Sequence, residues 1–85
     1  MNKKMIKFIS LDSNILHNID YLEKPIYDNK YKTWYILSDI FVSLNNDYVD
    51  KIEVMGVYGV ESFDRNEIDE INRFYMIEDK YYELP

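Results

Sequence analysis

The chain has no cysteine among its 85 residues, and only two glycines, two prolines, one histidine and one tryptophan. Alanine and glutamine do not occur at all. Each shortage excludes something. Without cysteine there is neither a disulfide framework nor a thiolate zinc site, and nothing calls for an oxidising compartment. With His17 alone, a histidine triad or histidine-based metal site would have to be completed from carboxylates, so His17 is expected on the surface or in helix packing. Gly56 and Gly59, in "GVYG", cannot build a phosphate-cradling loop, which also needs a lysine that this stretch lacks.

Long apolar runs are missing too. No stretch approaches the roughly 18 apolar residues of a membrane span. In "MNKKMIKFISLDSN" Lys7 interrupts the apolar run and Asp12 closes it, which leaves no core for a secretory signal. The expectation is a soluble, cytoplasmic protein without cofactor or metal.

What is present favours order. Apolar residues make up 47% and aromatics 16% of the chain, enough large side chains to offset the entropy of folding. The length suits one small domain over residues 1–85, which buries only roughly 60–65% of its unfolded surface. Lysine far outnumbers arginine, and Ile, Asn and Tyr are frequent. That usage suits an AT-rich coding sequence, as in a low-GC bacterium, its phage or another mobile element.

Charge is uneven. Residues 1–32 carry six lysines against four acids, a net of +2; residues 61–85 carry eight acids against three bases, a net of −5; the whole chain stands at −6. Such a field repels phosphates and attracts basic partners, so direct nucleic-acid binding is not expected.

Along the chain, "KMIKFISL" alternates as a strand does. In "DSNILHNIDYLEKP", Asp12 or Ser13 can cap a helix carrying Ile15, Ile19 and Leu22, stopped before Pro25. Asp28-Asn29-Lys30 reads as a hairpin turn, followed by a strand over roughly 31–37 and a short helix after Ser38, where Trp34, Leu37, Phe41 and Leu44 fall at helical spacing. "DKIEVMGVYGVES" reads as extended, with Ile52, Val54, Tyr58 and Val60 on one face and Lys51, Glu53 and Glu61 on the other, either one bent strand or two short ones, its glycines marking a bulge or a close backbone approach. Asp64 followed by Glu67 suits a helix start. Over 65–77, Ile68, Ile71, Phe74 and Tyr75 then share one side, and Asn66, Asp69, Glu70 and Arg73 the other. The resulting fold class is α+β, an antiparallel sheet of three to five strands packed against one or two helices.

Two patterns with catalytic overtones are short. "EDK" at 78–80 matches the E-x-K fragment of magnesium-dependent nucleases but has no upstream Asp in strand context, and Asp47, Asp50 and Glu53 lack the turn glycine and closing Glu of a calcium loop. No enzymatic activity is expected. Nine tyrosines are the remaining signal: they either fill half-buried sheet positions or supply rigid contact area to an interface.

The expected binding residues are therefore Glu67, Asp69, Glu70, Glu78, Asp79, Tyr81 and Tyr82, carboxylates to steer a basic partner and tyrosines to hold it. Should these acids be only a solvated helix face, the hairpin from Tyr27 to Trp34 is the next candidate. The function these features favour is a small acidic inhibitor that occludes a basic, nucleic-acid-handling protein, such as a phage anti-CRISPR or anti-restriction protein. An immunity protein or antitoxin against a cognate toxin has the same surface physics, and a regulatory or structural dimer is a third possibility.

Overall fold

The computed structural model describes residues 2–16, 21–44 and 48–83, with side chains over 8–16, 21–44 and 48–77. Six strands, β1 (Asn2–Ser10), β2 (Pro25–Asp28), β3 (Thr33–Val42), β4 (Val49–Gly56), β5 (Gly59–Asp64) and β6 (Phe74–Glu83), form one sheet in the order β1-β6-β2-β3-β4-β5, with antiparallel neighbours throughout. The helix α1 (Arg65–Ile68) has one turn. Strands β2 to β5 are a meander. The chain then crosses back over one face and inserts β6 between β1 and β2.

This corrects the expected class. The sheet has six strands rather than three to five, and among the described residues no long helix packs on it. The helix expected over 65–77 ends at Ile68. Its start is as anticipated: the Glu67 backbone N–H donates to Asp64 Oδ1 at 2.9 Å, and the Asp64 N–H donates to Glu67 Oε1 at 3.2 Å, a reciprocal cap. Asn72 then adopts a left-handed φ of 58°, which an asparagine tolerates and a continuing helix does not. Beyond it Phe74 and Met76 alternate with Tyr75 and Ile77 across β6, and Ile71 is 90% exposed. Sheet pairing on both sides of β6 outweighs the helical periodicity.

Two further helix expectations change. After Ser38 the chain stays extended to Val42, kinked by register shifts between Leu37 and Asp39 and between Phe41 and Val42, so its β-branched and aromatic content prevails. In place of a helix over 13–23, Asp12 Oδ1 accepts from the Asn14 and Ile15 N–H groups to cap a turn, and Glu23 ends the segment at φ 67°. His17 to Asp20 lie outside the described residues. The segment is tied to the sheet by backbone bonds from Leu11 N–H to Phe74 O, Val49 N–H to Ser13 O and Glu23 N–H to Leu37 O.

The extended segment 50–62 is two strands. It reverses at Val57-Tyr58, with Gly56 facing Gly59. Gly59 sits at φ 119°, and a Cβ on Gly56 would lie 2.8 Å from the Tyr35 ring, so both glycines are required where they stand.

Among the described residues the core occupies one face of the sheet. Ile26, Leu37, Ile52, Val54, Phe74 and Met76 point into it, and Leu11, Leu16 and Ile68 close it from above. Each such large side chain contributes about 1.5–3 kcal/mol by burial. A radius of gyration of 14.0 Å exceeds the roughly 12 Å of an equally long compact domain. The sheet is broad and covered on one side.

Candidate functional site

In a sheet covered on one face, the residues between buried positions should be polar. Here many are not. Tyr75 and Ile77 alternate with the buried Phe74 and Met76 of β6. Trp34 and Ile36 flank Tyr35 on β3, Met55 follows Val54 on β4, and Val60 opposes Met55 on β5. Register carries the row across the sheet: Phe8 faces Ile77, Tyr27 faces both Tyr75 and Trp34, and Ile36 faces Met55. The rings meet on this side, Tyr27 to Trp34 at 4.8 Å and Phe8 to Trp34 at 6.5 Å between centroids.

A hollow of about 600 Å³ opens there between Pro25, Trp34, Ile36, Met55, Val57 and Ile77. At its end stands the β4–β5 turn, where Val57 is 87% exposed and Tyr58 fully so. A β-branched residue and an aromatic at a tight turn serve no packing there, since turns favour Gly, Asn, Asp, Ser and Pro. An apolar, partly aromatic patch of this extent is how interaction surfaces present themselves.

Of the residues expected to bind a partner, Glu67, Asp69 and Glu70 sit elsewhere, on the crossover between β5 and β6. Asp69 accepts from the Ser13 N–H at 2.7 Å and from its hydroxyl at 3.0 Å, fastening the covering segment to the crossover. Glu70 accepts from Arg73 and lies 3.6 Å from Lys30 Nζ, and these cations hold its carboxyl below the usual range. Glu67 caps α1 and stands 3.8 Å from Arg73. All three have partners within the fold. Glu78, Asp79, Tyr81 and Tyr82 lie on β6 opposite Lys7, Ile6, Lys4 and Lys3 of β1, with their side chains outside the description. Tyr82 is eight residues along the strand from Phe74, roughly 27 Å at strand rise. Glu67, Asp69 and Glu70 thus lie on the crossover, and the other four are strung along β6 beside β1.

Arg73 is the centre of the covered side. It donates from Nε and Nη2 to the two oxygens of Asp28, each at 3.1 Å, and its guanidinium lies 5.1 Å from the Phe63 centroid and 4.8 Å from that of Phe74. Burial alone would lower its pKa, but the bonds to Asp28 and Glu70 outweigh that and raise it. A second, smaller hollow, lined by Asp50, Lys51, Asp64, Arg65 and Asn66, carries charges of both signs. Among the described residues no three His, Asp or Glu side chains are placed to hold a metal ion, and no helix is long and apolar enough to cross a membrane.

The open face was partly visible in the sequence. The hairpin from Tyr27 to Trp34 lies on it, whereas Val60 was read on one strand face with Ile52, Val54 and Tyr58, and Ile36, Met55 and Val57 were given no role. Their signal is that "TWYIL" and "VMGVYGV" are apolar in both phases of the alternation, while the fold buries one. No protein-family model, curated protein or solved structure matches the chain.

Proposed function

We propose that this protein is a small non-enzymatic inhibitor that docks through the open face of its sheet onto a basic, nucleic-acid-handling protein and blocks it by occlusion. The observation that carries the reading is the aromatic and aliphatic patch around Trp34, Ile36 and Met55, extended by the Val57-Tyr58 turn. Large apolar side chains around a hollow supply the anchoring contacts of an interface. The net charge of −6 supplies the sign of the partner, because acidic proteins are steered toward basic surfaces. A phage or mobile-element role against host defence is the setting in which this combination is useful.

The test has two parts. Wild-type protein and a Met55→Glu variant are each used to capture partners from a host lysate, and a partner retained only by the wild type is purified. Its nucleic-acid binding is then titrated with the inhibitor. Loss of binding near stoichiometry supports occlusion; unchanged nucleic-acid binding at saturation overturns it.

A further inference from the structure

The open face also carries a charge feature that defines what it accepts. Asp39 on β3 lies directly opposite Glu53 on β4, and Glu53 points away from the core because Ile52 and Val54 on either side are fully buried. Two carboxylates facing each other across a strand pair are destabilising. Among the described residues neither forms an ion pair with a base. The neighbouring Lys51 ammonium stands 4.6 Å from the Phe41 ring centroid, and Asp39 only accepts from the Ile40 N–H at 2.8 Å. The fold thus holds an unfavourable pair of like charges at the margin of its apolar hollow.

We propose, building on the binding role above, that this face receives a basic amphipathic helix of the partner protein, its apolar stripe in the hollow and its Lys or Arg side chains between Asp39 and Glu53. The spacing fits. Ile36 faces Met55 and, past the bulge at Ser38, Asp39 faces Glu53, so both carboxylates stand one two-residue step of β4, roughly 7 Å, from that anchor pair. On a helix this interval corresponds to about four to five residues at 1.5 Å each, so cations at i+3 and i+4 from an apolar anchor reach the carboxylates while staying on the anchor's side. The hollow of about 600 Å³ lies within the roughly 300–1,000 Å³ range of pockets that bury whole groups, room for several anchor side chains. A second copy of this chain is a poorer occupant, because it brings the same net charge of −6 and the same carboxylate pair. Nucleic acid is poorer still, since its phosphates would meet Asp39 and Glu53.

Trp34 is the sole tryptophan and borders the hollow, so its fluorescence reports occupancy. Two synthetic peptides of ~18 residues, long enough to hold a helix on binding, share one Leu/Phe stripe and differ only in Lys or Glu at i+3 and i+4. The basic peptide is expected to shift Trp34 emission to the blue and to bind at least about tenfold more tightly than the acidic one at low salt. That preference is expected to collapse in the Asp39→Asn, Glu53→Gln double variant. Equal binding of both peptides, a preference that survives the double variant, an unmoved Trp34 emission, or sedimentation showing the face already closed by a second copy would each overturn the inference. These readouts concern the helix and its charges; occlusion is judged separately by the partner's nucleic-acid binding, so either idea can fail alone.

Discussion

Arg73 and Asp28, 45 residues apart in sequence, meet as a two-point ion pair beneath the crossover, with Asp28 at 0% and Arg73 at 5% exposure. The pair fixes where the crossover returns to the sheet. The same turn is pinned by the Asn29 N–H donating to Arg73 O at 2.7 Å, so β6 enters beside β2 in a single register.

Removing one partner would leave the other charge buried and alone. Arg73→Met or Asp28→Asn is expected to lower the unfolding free energy by about 3–5 kcal/mol, measured by urea denaturation. Arg73→Lys should recover little, because a point charge cannot reproduce the two-pronged contact or the packing on Phe63 and Phe74. A loss below about 1 kcal/mol, the scale of an exposed pair, would place the pair in solvent.

Ile68 and Ile71 should now part company. Ile68 is fully buried and Ile71 is 90% exposed, so Ile68→Ala is expected to cost about 2–5 kcal/mol and Ile71→Ala to stay within about 0.5 kcal/mol. Thermal or urea unfolding of the two variants reads this directly. The reverse order would restore the longer helix.

Tyr35 titrates late. Burial, and then the hydrogen bond its hydroxyl donates to Glu61 at 2.8 Å, push its pKa up to about 12 from 10.0. A phenol with a raised folded pKa contributes stability that is complete below its unfolded value and disappears as pH climbs through the folded one, so that increment fades between pH 10.0 and about 12. Absorbance of tyrosinate should show a late component from Tyr35, moved down but not back to normal by Glu61→Gln, since burial is the larger cause.

Acid acts through Glu70. Its lowered pKa, caused first by the Arg73 hydrogen bond, means its contribution is present above the unfolded carboxyl value and is lost as pH falls through the lower folded one. Glu70→Gln should therefore flatten the acid limb of the stability profile while leaving the alkaline limb alone. An unchanged acid limb would separate Glu70 from Arg73.

What was legible in the sequence was mainly local chemistry. The hairpin turn stands where Asp28 was placed, with Asp28 Oδ1 accepting from the Lys30 N–H at 3.0 Å, and Asp64 with Glu67 caps a helix. The length of that helix was not legible, because Ile68, Ile71 and Phe74 fit a helical stripe as well as a turn leading into a strand. Only Asn72 at positive φ and two neighbouring strands for β6 decide between them. Asp28 read as a turn residue and Arg73 as part of the polar side of a helix, because nothing in one dimension pairs them. The candidate face was obscured for a related reason: Ile52 and Val60 read as one side of a strand until the chain reverses at Val57-Tyr58 and sends them to opposite faces.

Binding is proposed to run through the open face and not through Asp69 and Glu70. The most direct measurement is the affinity of an isolated partner for Met55→Glu and for an Asp69→Lys, Glu70→Lys double variant, each checked for retained fold. Met55→Glu is expected to weaken binding by roughly 30-fold or more, the scale of a central hot spot, and the double reversal, which breaks contacts to Ser13 and Arg73, mainly to lower stability. Unchanged affinity in Met55→Glu, with binding lost in a folded double reversal, would contradict it.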